Sequence, residues 1–107
     1  MTSLDDRAKG FENKFAHDEE LNFKAISRRN KLLGLWAAGK MSKNVDEANA
    51  YAKDVVLSDF ESEGDGDVIA KLLKDFYNAE IEVSEQEIIA EMDRLLPIAR
   101  AEILGTK

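Results

Sequence analysis

The chain has 107 residues, no cysteine and a formal net charge of −7, and 35% of its residues are charged. This length fits one domain with a modest core, and the lack of cysteine excludes a disulfide framework, a thiolate nucleophile and a Cys-based zinc site. The acidic balance argues against nucleic-acid binding. The polar N-terminus has no apolar run that would indicate a secretory signal or membrane insertion, and we expect a reducing, cytoplasmic environment.

The charge is distributed unevenly along the chain. Residues 1–43 hold nine Lys or Arg against six Asp or Glu, whereas residues 44–107 hold six against sixteen. Such asymmetry is typical of an oriented interaction surface. Acidic, well-solvated helices would give the same pattern, and the sequence leaves both interpretations open.

Residues 1–17, here called the N-terminal arm, carry a narrow apolar stripe. Leu4, Ala8, Phe11 and Phe15 are spaced four, three and four residues apart, as on one face of a helix. Burying the three large side chains gains roughly 5–9 kcal/mol, but ordering the backbone costs about 1–2 kcal/mol per residue. We therefore predict an arm that is mobile alone and helical on a partner. The alternative is that the stripe docks on the protein's own bundle.

Residues 18–107 are predicted to form the globular part, beginning with a helix from Asp18 to Gly39. Asp18 is the expected N-cap, and Gly39 is the expected stop. An apolar stripe at helical spacing should face the core. Trp36 should lie at the centre of that core. The members of the stripe are Leu21, Ala25, Ile26, Leu32, Leu33 and Trp36. Lys24, Arg28 and Lys31 fall on another, basic side.

Three further helices follow at short intervals. We predict one from about Asn44 to Phe60, a Gly- and acid-rich loop over 61–66, and a helix from about Asp67 to Ala79. The last helix should start with a capping box from Ser84 to Glu87 and run to Leu104, with a kink or break at Pro97. No segment alternates with period two, so the predicted fold is all-α: a four-helix bundle with a mobile N-terminal arm.

Two motifs come close to known sites without matching them. Residues 34–40 nearly spell a phosphate-binding loop, but the required strand is absent and position 41 is Met. Residues 59–67 place acids at five calcium-ligand positions, but the twelfth position is Ala70 rather than Glu. We therefore expect no metal site and no required cofactor.

One stretch resembles a known family. The runs FENKFA (11–16), HDEELNFK (17–24) and RRNKLLGLWAA (28–38) are similar to the zeta subunit of alphaproteobacterial F-type ATP synthases. The resemblance implies a small four-helix protein that inhibits ATP hydrolysis with its N-terminal segment. It also implies a partner, the catalytic head with its alpha, beta and gamma subunits, and a location at the cytoplasmic side of the membrane-bound synthase.

The stripe and the resemblance together give a set of partner-binding candidates, with no catalytic residue among them. They are Leu4, Ala8, Phe11, Lys14, Phe15, Asn22 and Phe23. A second set could contact phosphate or an acidic surface, or pair with the protein's own acids. It comprises Lys24, Arg28, Arg29 and Lys31. Three alternatives remain: a small enzyme, a module that senses nucleotides through weak adenine-nucleotide binding, and a generic helical adaptor.

Overall fold

The computed structural model describes the backbone of residues 2–59 and 65–105, and the side chains of residues 19–59 and 65–105. These parts of the chain form four helices and no strand: α1 (Thr2–Lys40), α2 (Val45–Ser58), α3 (Gly66–Asn78) and α4 (Glu85–Gly105). Helix α1 packs chiefly against α2 and α4, and α3 closes the bundle against both. The predicted all-α, four-helix fold is confirmed.

Local capping explains where α2 and α4 begin. Asn44 and Glu47 form a complete capping box, in which each side chain accepts a hydrogen bond from the other residue's backbone N–H. At α4, the Ser84 hydroxyl accepts from the Glu87 N–H at 3.1 Å, which forms one half of the predicted box. The predicted starts of these helices are therefore correct to within one residue.

The predicted start of the first helix is wrong. Helix α1 is continuous from Thr2 to Lys40, so no helix begins at Asp18 and Asp18 is not an N-cap. A capping residue contributes only about 1 kcal/mol, and the residues before it are compatible with a helix, apart from Gly10. The helix therefore continues through the predicted boundary. Mobility of the arm remains a prediction.

The end of α1 also differs from the prediction. Gly39 lies inside the helix, and the turn is made by Ser42, whose φ of 59° places it in the left-handed region. The N–H of Lys43 donates to the Ala38 carbonyl at 3.1 Å and that of Ser42 to the Gly39 carbonyl, the pattern of a Schellman motif. Serine thus occupies a position that glycine usually fills.

The core lies where α1 meets the other three helices. Its largest fully buried side chains are Phe76, Leu33, Leu72, Ile88, Val55 and Val68. Trp36 is only partly buried, so its predicted central position is wrong. Its indole packs edge-on against Phe76 with centroids 5.9 Å apart, and the Lys40 ammonium lies 5.2 Å from its ring centre.

The crossing of α1 and α2 is unusually close at Gly34. A Cβ at this position would lie 2.6 Å from the Ala52 Cα and 3.2 Å from Cγ2 of Val55. Only a residue without a side chain allows this approach. The backbones of α1 and α2 therefore approach each other closely at this crossing.

Two predictions about the remaining helices need correction. Pro97 does not break α4, which is continuous from Glu85 to Gly105, so the predicted break is absent. Val45, the first residue of α2 after the cap, is apolar but 76% exposed. Phe60, the predicted end of α2, lies outside the described residues; the helix ends at Ser58.

Candidate functional site

Five of the partner-binding candidates lie in the first half of α1. Leu4, Ala8, Phe11, Lys14 and Phe15 belong to a stretch whose backbone is helical but whose side chains lie outside the described residues. Their contacts therefore stay predictions. The backbone itself shows that the arm and the bundle are joined by one uninterrupted helix, without a hinge residue between them.

Asn22 and Phe23 lie where α1 enters the bundle. Phe23 is 56% exposed, and the Asn22 side-chain oxygen accepts a hydrogen bond from Arg100 of α4 at 3.3 Å. Beside them, an apolar pocket of about 240 Å³ opens between the two helices and includes Leu21, Ile103 and Leu104 in its lining. This end of the bundle therefore presents an exposed aromatic ring beside an apolar pocket.

Two of the basic candidates pair with glutamates at the surface of the bundle. Lys24 forms an i,i+4 pair with Glu20 at 3.1 Å, and both side chains are more than half exposed. Arg28 donates from Nε to Glu102 of α4. The hydrogen bond from Arg28 lowers the pKa of the Glu102 carboxyl. Exposed pairs of this kind contribute little to stability.

Arg29 is a structural cation in this bundle. Its side chain is only 5% exposed, and Nη2 lies 2.7 Å from Oδ1 of Asp65, just before α3. The guanidinium also donates to the side-chain oxygen of Asn30, at 2.8 and 3.2 Å. Arg29 thus fastens the beginning of α3 to α1, and its guanidinium is not offered to an external phosphate. The fourth basic candidate, Lys31, is exposed.

A second acid shares this cluster. Burial raises the pKa of Asp59, and repulsion from Asp65 adds to the effect, while Arg29 and the Asn30 amide act in the opposite direction. The Asn30 amide nitrogen is buried and forms no hydrogen bond of ordinary geometry, although it lies close enough to favour the charged carboxylate. The folded state therefore favours the protonated form of Asp59 more than the unfolded chain does.

Sequence reasoning missed the buried state of Arg29 and Asn30. Both lie four residues after the apolar pair Ala25 and Ile26, so helical spacing alone places them on the core face. Also missed was a network between α2 and α3, in which Tyr51 donates to Asp75 at 2.7 Å and Lys71 pairs with the same carboxylate at 3.0 Å. Burial and this hydrogen bond raise the pKa of Tyr51.

The acid-rich stretch at residues 59–67 is described in part. Among the described residues, no group of three or more potential ligands is close enough to hold a metal ion. Asp59, Asp65 and Asp67 are described, but the rest of the acidic loop, residues 60–64, is not. Within the same described ranges, no helix has the length and apolar character needed to cross a membrane.

Comparison with known proteins gives a consistent result. The profile of a family described as "ATPase inhibitor subunit zeta" matches residues 1–102. A solved structure, described as a solution NMR structure, is 42% identical; the match covers 81% of this chain and 99% of the other, with a TM-score of 0.72. No curated protein matches this chain.

Proposed function

Because the chain belongs to the family of ATPase inhibitor zeta subunits, we propose that it inhibits ATP hydrolysis by the catalytic head of an F-type ATP synthase through its N-terminal arm. The observation that carries the proposal is the continuity of α1. One helix runs from the arm into the bundle, so a bundle resting on the head would hold the arm in a fixed direction.

The register of α1 supports a binding role for the arm. Positions 4, 8, 11 and 15 precede Asn22, Ile26, Arg29 and Leu33 by 18 residues each, which is about five turns of helix. In the second half of α1 this face meets the bundle: Arg29 and Leu33 are buried and Ile26 is partly buried. The arm continues the same face beyond the part that the bundle covers. We infer that a partner covers this face along the arm.

The inferred mechanism requires no chemistry by this chain. The arm inserts between subunits of the catalytic head, and Leu4, Phe11 and Phe15 become the buried anchors, as aromatic side chains dominate such interfaces. A helix wedged between moving subunits blocks rotation in the hydrolytic direction. The C-terminal end of the arm continues directly into the bundle. Binding therefore costs little additional conformational entropy at that end.

A double substitution tests the role of the arm. Phe11→Ala with Phe15→Ala removes both aromatic anchors without shortening the chain, so the inhibitory concentration should rise at least about tenfold, the loss expected of interface anchors. The matched control is Leu57→Ala with Ile98→Ala, which removes two apolar side chains that are 55% and 41% exposed elsewhere. ATP hydrolysis by the purified head is the readout. Equal inhibition by both variants would contradict the proposal.

Nucleotide sensing remains a separate prediction with less support. Arg28, Arg29 and Lys24 pair with Glu102, Asp65 and Glu20, respectively, which leaves the exposed Lys31 to attract a phosphate. Titration calorimetry with ATP and ADP tests it directly. A measurable affinity that disappears in Lys31→Ala would restore this candidate.

A further inference from the structure

The surface where α3 connects to α4 joins an exposed tyrosine and partly buried apolar side chains to acids without an ion-pair partner among the described residues. Tyr77 is 83% exposed, and Ile81 and Val83 beside it are partly buried. Two adjacent grooves, of about 630 and 560 Å³, both include Tyr77, Ile81 and Glu82 in their lining. Exposed tyrosine beside branched apolar residues is a common feature of protein-binding surfaces.

The chain segment that forms this surface carries charge of one sign. Residues 75–93 contain seven Asp or Glu and no Lys or Arg. Two of the acids are neutralised, Asp75 by Lys71 and Glu91 by Arg94. Glu85 and Glu87 stand in the first turn of α4, where the helix dipole favours acids. Neither explanation applies to the exposed Glu80 and Glu82, which form no ion pair with any described residue.

We propose that Tyr77, Glu80, Ile81, Glu82 and Val83, here called the α3–α4 patch, dock a basic segment of the catalytic head; this inference rests on the proposed function. The fitting occupant presents an apolar side chain to the groove and Lys or Arg to the rim. Carboxylates around an apolar centre favour such a partner and repel acidic ones. The patch anchors the bundle, and the arm inhibits.

The positions of the two surfaces suit a large partner. The patch follows Phe76, which contacts Trp36 near the end of α1, whereas the arm leaves the bundle near Asn22, beside Arg100 of α4. Fourteen residues of helix separate Trp36 from Asn22, or about 21 Å. A partner that covers both surfaces must therefore be extended. Contacts at two sites raise the effective concentration of each.

Three full-length variants separate the roles of patch and arm. The patch variant combines Tyr77→Ala, Glu80→Gln and Glu82→Gln, all at exposed positions, so the bundle should remain folded. Its control combines Leu57→Ala, Asp46→Asn and Asp54→Asn, which removes one apolar side chain and two charges from exposed sites of α2. The third is the Phe11→Ala, Phe15→Ala arm variant. Thermal melts confirm that each is folded.

Each variant is labelled with a fluorophore, and its binding to the purified catalytic head is measured by anisotropy at low and high salt, alongside ATP hydrolysis. The patch variant should bind about tenfold or more weakly than wild type and lose salt dependence, yet reach full inhibition at saturation. The control should match wild type. The arm variant should keep salt-dependent binding, while its inhibitory concentration rises at least about tenfold.

The outcomes distinguish the two proposals. If the patch variant binds as tightly as wild type, the proposed docking role of the patch is wrong, even if the arm variant fails to inhibit. If wild type binds through the patch but does not inhibit, the patch is supported as an anchor and the inhibitory role of the arm is contradicted. If wild type does not bind the head at all, both are wrong. Equal losses in the patch variant and its control would indicate a general charge effect and would also overturn the patch.

Discussion

Replacing Gly34 by alanine should destabilise the bundle, although alanine favours a helix. Alanine is better than glycine inside a helix by about 1 kcal/mol. At this position, however, the new Cβ would lie 2.6 Å from the Ala52 Cα. The obstacle is backbone rather than a flexible side chain, so α1 and α2 must move apart. Overpacking costs about 1–3 kcal/mol, and the cost at Gly34 should lie at the upper end of this range.

We expect a net loss of about 1–2 kcal/mol for Gly34→Ala, where each kcal/mol corresponds to roughly 4–8 °C in melting temperature for a domain of this size. Gly39→Ala in the same helix is the matched control. A Cβ there meets nothing within 4 Å, so this variant should gain about 0.5–1 kcal/mol. Urea and thermal unfolding followed by circular dichroism measure both. If Gly34→Ala were as stable as Gly39→Ala, the close helix crossing would be refuted.

Three other predictions concern the core and the charged cluster. Phe76→Ala should cost about 3–5 kcal/mol of unfolding free energy and exceed Trp36→Ala, because the indole is only partly buried; the reverse order in chemical denaturation would put Trp36 back at the centre. Asp59 has a raised pKa in the folded state, so its ionisation opposes folding as pH rises through that pKa. Asp59→Asn should raise the melting temperature at pH 7, with a difference that shrinks toward acid pH; a constant difference contradicts the assignment. Arg29→Ala should be clearly destabilising because it leaves Asp65 and the Asn30 oxygen without their donor. The control Lys24→Ala should change stability by less than about 0.5 kcal/mol. Equal melting temperatures for the two variants would show that Arg29 is not structural.

Features set by neighbours in the sequence were predictable. The starts of α2 and α4 follow from Asn44 and Ser84, whose side chains bond residues three positions ahead. Apolar spacing identified α3, whose bounds Gly66–Asn78 lie within one residue of the predicted ones. In each case the deciding interaction lies within one or two turns of helix, so the local pattern contains it.

Features that depend on distant partners were not predictable in the same way. Asp65, which pairs with Arg29, is 36 residues away along the chain, so local spacing places Arg29 on the core face but does not indicate which acid pairs with it there. The prediction of where α1 begins was wrong for a different reason. Asp18 resembles a cap, but a capping signal does not end a helix when the residues before it can also be helical.

The candidate interaction surfaces divide along the same line. The arm was recognisable because Leu4, Phe11 and Phe15 form a stripe that no nearby residue explains. The α3–α4 patch was not, since Tyr77 adjoins the apolar stripe of α3 and only the folded chain shows it to be 83% exposed. Exposure of a residue beside the core face depends on helix packing, which sequence spacing does not determine.

The most direct test of the account is ATP hydrolysis by the purified catalytic head in the presence of the full chain or of a chain that lacks residues 1–17. The shortened chain retains the described core, so its circular dichroism and melting should be close to those of the full chain. We predict that the full chain inhibits hydrolysis and that the shortened chain does not inhibit at any concentration up to saturation of the head. Inhibition by the shortened chain at the same concentration would show that the arm is not the inhibitory segment.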